Sequence, residues 1–233
     1  MKHALLILLT LLNINCIAQI NFVEYDAMEN GKKVGETYMV FNDTISISGL
    51  PKEINEMKNS IFVKKFNEEV VYSTSEFLNL TFYLKEQLHS MNWELTEDTS
   101  TILNIKCLSA KADFRGRSYI AYYAPSLPFN NGPSKFGGLP GLILNIKSTD
   151  NYTGWMATNI NTNYKGRFDV PDLNKYKFDD FDDFVIKYKE AVAKYIQMVK
   201  ASRSVEGESK MIMKMEQDEI FYPELQTGVG IIF

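Results

Sequence analysis

Apolar and polar residues alternate with a period of two over much of this chain, the pattern of strands with one buried face. The first such run sets Val23, Tyr25 and Ala27 on one side. Glu29-Asn30-Gly31-Lys32 then supplies an Asn-Gly turn and residues 36–41 return, so a hairpin is predicted. Further strands are predicted at residues 44–48, 69–74, 80–85, 92–96, 101–110, 116–124, 142–147 and 155–161. Turn residues separate most of them and no helix intervenes, which indicates an antiparallel meander rather than βαβ units. Residues 52–59 read as a short helical turn.

After Pro171 the period changes. Across residues 182–203, Phe184, Tyr188, Ala191, Tyr195 and Val199 recur every three or four positions, predicting an amphipathic helix with one face for a partner surface. Asp179, Asp180, Asp182 and Asp183 crowd its start, where carboxylates cap orphan N–H groups and suit the helix dipole. The same run could offer oxygens to calcium, but the EF-hand order with its central glycine and terminal glutamate is missing, so no metal site is assigned. Residues 204–209 read as a polar linker, and the tail ends in Ile231-Ile232-Phe233. The expected fold is α+β and mainly β: an antiparallel curved meander sheet with a C-terminal amphipathic helix packed on its open face, within a single β-rich domain over residues 19–233.

The first 18 residues are predicted to stand outside that domain. Lys2 gives a positive n-region, Leu5 to Leu12 a short apolar h-region, and Cys16-Ile17-Ala18 ends on a small residue, the plan of a secretory signal peptide cleaved after Ala18. Cys16 raises lipoprotein anchoring, yet Asn13 and Asn15 occupy positions where a lipobox wants an aliphatic and a small residue. The expected location is therefore exported: periplasmic, cell-surface or secreted. With 233 residues the chain can bury one good core. Its net charge of −4, one unit more negative once Lys2 is lost, argues against nucleic acid as a partner. No later segment is long and apolar enough to cross a bilayer as a helix. Of two cysteines only Cys107 would survive processing, leaving no internal disulfide.

Cys107 and His89, the one histidine expected after processing, make the single nucleophilic pairing available. Cys107 is placed on a strand face with Leu103 and Ile105, where a small core residue belongs, and His89 in the polar turn 86–90, so the pairing is the weaker reading. No G-x-S-x-G elbow, zinc-spaced cluster or P-loop ending is present, and no cofactor is predicted. More informative is the hairpin apex at residues 112–119. Beyond it Arg117, Tyr119, Ala121 and Tyr123 project from one side of a strand, with Ile120 and Tyr122 on the other. Arginine beside tyrosines can pair with a carboxylate or stack on a planar group; the alternative is an arginine stem packed over a neighbouring aromatic. The candidate binding residues are Arg117, Tyr119, Tyr123, Lys135 and Phe136.

Residues 136–144 read FGGLPGLIL, a stretch with no acid, base, nucleophile or metal ligand. Gly137 and Gly138 suit a reversal, Pro140 lacks an N–H, and Leu142, Ile143, Leu144 and Ile146 read as a buried strand. The hexapeptide Gly138-Leu139-Pro140-Gly141-Leu142-Ile143 resembles the motif that names the GLPGLI family of exported Bacteroidota proteins. Trp93, Cys107, Phe114, Gly116-Arg117, Tyr119, Ala121, Tyr123, Pro128, Gly132-Pro133 and Phe136 extend the likeness across residues 91–148. Ser134 departs from it, standing where an aromatic usually follows the Gly-Pro pair, as does the Tyr122-Tyr123 position, where a tryptophan is common. The resemblance implies an exported protein and supplies no activity, cofactor or catalytic residue. It also draws notice to Asp43-Thr44-Ile45, which fits the O-glycosylation acceptor pattern of that phylum at Thr44. The functional expectation is a non-enzymatic binding or accessory module of the cell envelope, for an envelope protein, a peptide or a small apolar ligand held beside the loop from Pro125 to Gly141. The alternatives are an envelope hydrolase using Cys107 and His89, or a purely structural envelope protein.

Overall fold

Eleven strands join in one antiparallel sheet in the computed structural model, which describes residues 19–50, 57, 60–88, 91–202, 212–213, 219 and 231–232. The residues expected to form a signal peptide (1–18), most of those expected to form a helical turn (52–59), His89, residues 204–209 of the expected linker and Phe233 lie outside the described residues. The strands β1 (Asn21–Glu29), β2 (Lys32–Phe41), β3 (Ile45–Gly49), β4 (Phe62–Lys65), β5 (Val70–Phe77) and β6 (Leu80–Gln87) make one meander. A second runs through β7 (Glu94–Ile102), β8 (Ile105–Phe114), β9 (Arg117–Ala124), β10 (Leu142–Ser148) and β11 (Thr153–Asn161). Pairing of β11 with β1 fuses the two, giving the order β6-β5-β4-β3-β2-β1-β11-β10-β9-β8-β7.

This order fixes the shape. β6 and β7 are consecutive in the chain yet occupy opposite edges of the sheet. Laid flat, eleven strands would hold those edges about 48 Å apart. The stretch from Gln87 to Glu94 can span at most about 25 Å. The sheet therefore curls until its edges approach one another, and the residues on its concave side converge.

Local chemistry explains the hairpins. Asn30 and Gly31 (φ 49° and 72°) and Arg115 and Gly116 (φ 45° and 83°) form two-residue turns with positive φ, whose twist matches the flanking strands. Leu103 and Asn104 (φ 51° and 62°) form a third, and here the sequence reading needs correction. The strand expected over residues 101–110 is interrupted at this turn, its first residues completing β7 and the rest opening β8. Leu103 is 41 % exposed at the apex and shares no strand face with Cys107. The second correction is β4, which the sequence reading omitted: Lys64-Lys65 interrupts its apolar pattern, yet Lys64 is buried.

The helix α1 (Phe181–Ser202) packs Phe184, Tyr188 and Val192 against Phe77 and Leu84, with Phe82 beside them. That i, i+4 spacing puts Val192 deepest, and the expected Ala191 and Tyr195 flank it. Asp180 caps the first turn, its carboxylate accepting the Asp183 N–H at 2.8 Å, while Asp179 pairs with Lys187 at 2.5 Å. On the opposite face of β3 to β5, Phe168, Leu173, Tyr176 and Phe178 cover Ile47, Val63 and Tyr72. β12 (Ile212–Met213) and β13 (Ile231–Ile232) pair with each other as a second, two-stranded antiparallel sheet.

Candidate functional site

Directly opposed residues of neighbouring antiparallel strands point to the same face. The register aligns Phe41, Ser46, Lys64, Val71 and Glu86 in one row from β2 to β6. Val63 and Tyr72 lie under the 168–178 segment, so this row, with Lys64 in it, is on the other face of the sheet, the one that meets the loop between β9 and β10. A lysine and a glutamate on that side require partners, since a buried charge without them is strongly disfavoured.

Lys64 finds its partners in the loop between β9 and β10. Its ammonium donates to Asn131 Oδ1 at 3.0 Å, to the Gly132 carbonyl at 2.8 Å and to the Phe136 carbonyl at 2.6 Å. An ammonium has three N–H donors, and each has an acceptor. Burial lowers the Lys64 pKa to about 7. Asn131 is held from both ends, because its amide also donates to Ser46 Oγ at 3.0 Å and its carbonyl accepts the Gly132 N–H at 2.9 Å. The loop is further tied by Leu142 N–H to the Leu127 carbonyl (2.9 Å), Ile143 N–H to Asn131 (3.0 Å) and the Trp93 indole N–H to Gly137 (2.8 Å). Its shape is thus fixed by β3, β4, β10 and Trp93 together.

The FGGLPGLIL stretch forms the corner where that loop enters β10. Gly138 has φ +90° and donates its N–H to the Asn130 side chain. Leu139 is buried beside Tyr119 and Phe136, and Pro140 faces solvent. A Cβ on Gly141 would stand 2.3 Å from the Ala124 carbonyl oxygen, so the two ends of the loop approach as closely as only glycine permits. Leu142 and Leu144 enter one buried cluster, and Ile143 and Ile146 another. The register of β10 against β9 shifts between Ile143 and Asn145, so Leu144 is the extra residue of a bulge. Beside it the buried Tyr25 hydroxyl donates to the Ile143 carbonyl at 2.8 Å.

Between this loop and β2 to β4 opens a cleft of about 500 Å³. Phe41, Phe66, Phe129 and Phe136 give it aromatic walls; Lys64 and Lys135 lie at its base and Asn42, Asp43, Glu69 and Asn130 border it. Of the residues singled out in the sequence, Asp43, Pro128, Lys135, Phe136, Gly137 and Gly138 line the cleft. Arg117, Tyr119 and Tyr123 are buried and do not. Arg117 pairs with Asp150 and lies 4.2 Å from the Tyr152 ring centroid, the aromatic packing weighed as the alternative. Tyr119 meets Phe136 edge-on at 4.8 Å, and Tyr123 lies in the same cluster, so both support the cleft wall from behind. Thr44 sits on an exposed turn next to the cleft-lining Asp43, bonded to Asn42 at 2.9 Å.

Beyond Lys135 lies a group that sequence reasoning missed altogether. Lys135 pairs with Glu86 at 2.5 Å and Glu219 at 2.8 Å, and Arg115 also pairs with both, meeting Glu219 at 2.8 Å. Burial pushes the Glu86 carboxyl up, but Lys135 and Arg115 more than reverse this and hold it below the usual carboxylate range. Cys107 is wholly buried, and burial raises its thiol pKa.

Residues 115–145 match the family model described as "Protein of unknown function (Porph_ging)". The matched stretch runs from Arg115 through β9 and the loop to Asn145, and so contains Lys135 and the GLPGLI corner. No curated protein matches the chain in sequence. Among solved structures the fold is similar to PNGF-II in its P21 space group, with 17 % identity and a TM-score of 0.53 over 87 % of this chain. PNGF-II in its C2 space group is similar likewise, at 18 % identity and a TM-score of 0.54 over 86 %. The likeness covers 38 % of the PNGF-II chain in each case and is one of fold.

Proposed function

We propose that this chain is an exported binding or accessory module of the bacterial cell envelope, a GLPGLI-family protein whose ligand occupies the cleft between the Pro125–Gly141 loop and β2 to β4. The observation that carries this reading is the cleft itself. It has the volume of a small-molecule or peptide-side-chain pocket, with aromatic walls and polar groups among which Lys64, Asn130, Asn131 and Lys135 are anchored before any ligand arrives. A loop so fixed loses little conformational freedom on binding, and that favours recognition. The ligand class it suits has an apolar, planar body and a polar group able to meet Asn130 or Lys135.

The test is capture from periplasmic and outer-membrane extracts by tagged residues 19–233, alongside Asp43→Trp. Asp43 is exposed at the cleft border, so the indole narrows the opening without entering the core. The wild type should retain a discrete protein, peptide or lipid that the variant loses at least about tenfold. Equal retention by both, or none by either, counts against the reading.

A thiol nucleophile needs access and thiolate character, and Cys107 is buried with its pKa raised. Iodoacetamide at neutral pH should therefore label Cys107 in denaturant and leave it unlabelled in the folded mature protein over the same hour. Rapid labelling of the folded protein, read by mass spectrometry, would revive the hydrolase alternative.

A further inference from the structure

We infer that Arg115 and Lys135 form a carboxylate-binding site that the chain fills with its own Glu219, and that an acidic peptide segment supplied from outside can take the same place. β6, the β8–β9 turn and the β9–β10 loop bring together one carboxylate, Glu86, and two cations, Arg115 and Lys135. Their side chains are 2 %, 14 % and 7 % exposed in the folded chain, and among the described residues of the sheet and its loops two cations meet one carboxylate here, an excess of one positive charge. A second carboxylate is needed to balance it.

That carboxylate does not come from the sheet. It is Glu219, 104 positions from Arg115 in the chain and beyond the end of α1. The geometry of its reception is specific. Glu219 Oε2 accepts from Arg115 Nη1 and Glu219 Oε1 faces Lys135 Nζ, both at 2.8 Å. Glu86 repeats the pattern on the other side, one oxygen to each cation. Each carboxylate thus bridges both cations, one oxygen on the guanidinium and one on the ammonium, and every one of these bonds is charge-assisted. The Arg115 guanidinium is also set in place by aromatic faces, with its carbon 3.2 Å from the Phe181 ring centroid and 5.3 Å from that of Phe114.

Glu86, Arg115 and Lys135 pair with one another through contacts that do not involve Glu219. The Glu86 side chain is 2 % exposed and belongs to the scaffold, whereas Glu219, at 18 %, is the most exposed of the four and the one carried by a different part of the chain. Its carboxylate can be replaced by another of the same shape. Lys135 borders both this site and the cleft, but the carboxylate site stands on its own contacts and does not require the cleft to be a binding site.

The experiment uses the full mature chain and its Glu219→Gln variant. The probe is an acetylated and amidated peptide of residues 212–226, compared with the same peptide carrying Gln at 219. Binding is read from tryptophan emission, since Trp93 bonds to Gly137 and Trp155 contacts Phe136, next to Lys135. The Glu219→Gln protein should bind the native peptide at least about tenfold more tightly than the wild type does, because the internal competitor is gone. The Gln peptide should bind at least tenfold more weakly, and Arg115→Gln in the same background should abolish binding. Equal affinity for both peptides, or no binding to the Glu219→Gln protein, overturns the proposal. Should Glu219→Gln fail to fold, Glu219→Ala is refolded in acetate against chloride at equal ionic strength. A melting temperature that rises with acetate supports a carboxylate site, and one indifferent to the anion overturns it. Adding Asp43→Trp separates this from the cleft reading, because it should leave peptide affinity unchanged while envelope ligand is lost.

Discussion

Lys64→Met destabilises the protein by about 2–6 kcal/mol, the first of two large effects expected from this structure. The methionine fills the same volume without any donor, leaving the Gly132 and Phe136 carbonyls without the bonds Lys64 gave them. Each buried acceptor so abandoned costs about 1–3 kcal/mol. Asn131 loses less, because its carbonyl keeps the Gly132 N–H and its amide keeps Ser46. Against a typical stability of about 5–15 kcal/mol this is a large fraction of the whole. Urea denaturation of both proteins measures it, and a difference below about 1 kcal/mol would remove Lys64 as the anchor of the loop.

The pH dependence of that difference has a definite sign. Burial sets the folded-state pKa of Lys64 near 7, below the roughly 10.4 of an unfolded lysine. Below pH 7 both states hold the proton and the contribution is flat. Between about 7 and 10.4 the unfolded chain holds a proton that the folded one has released, so the wild type gains stability as pH rises, by up to about 1.4 kcal/mol per unit. Lys64→Met lacks this gain, and the gap between the two proteins should widen from pH 6 to pH 9. The other charged side chains nearby, Asp43, Glu69 and Lys135 at the cleft and Glu86 in the same row, are common to both proteins. A gap independent of pH would show that the three oxygens around Lys64 keep it charged despite its burial.

What the sequence revealed and what it concealed follow from the range of the interactions involved. The Asn30-Gly31 and Arg115-Gly116 turns are local, two residues whose backbone preference needs no knowledge of the rest of the fold. The alternation from Arg117 to Tyr123 and the i, i+4 face of α1 are local as well. β4 was hidden because Lys64 belongs to a buried position only by virtue of carbonyls 68 and 72 positions away. The Leu103-Asn104 turn was hidden because no glycine marks it, and a leucine at positive φ reads as one more apolar strand residue. Lys135 and Phe136 were found as neighbours of a conspicuous motif. Arg115, Glu86 and Glu219 were not, since each looks like a solvated charge until the curl of the sheet joins it to partners 29 to 104 positions distant. The pairing of β11 with β1, from which that curl follows, leaves no trace in hydrophobic period at all.

The second large effect falls on the strand that begins in the GLPGLI corner. Had the sheet been covered on one face only, Ile143→Ala would be nearly silent while Leu142→Ala and Leu144→Ala would not. All three side chains are fully buried, with Leu142 and Leu144 in a cluster around Val23, Phe41 and Cys107 and Ile143 in one around Tyr119, Tyr123 and Phe136. Each alanine should therefore cost about 2–5 kcal/mol by transfer and cavity terms together. Ile143 sits where its carbonyl is also held by Tyr25, so little backbone movement is available to close the space. Gly138→Ala should cost less, about 1–2 kcal/mol, because its penalty lies in φ +90°, while the nearest atom to the new Cβ, Trp93 Nε1 at 3.4 Å, leaves room. Thermal melts of the four variants rank these contributions. If Ile143→Ala melts with the wild type, the cluster behind Phe136 does not bear on stability. If instead Gly138→Ala melts with the wild type but no longer retains the captured envelope ligand, the corner acts by contact with that ligand rather than by shaping the chain.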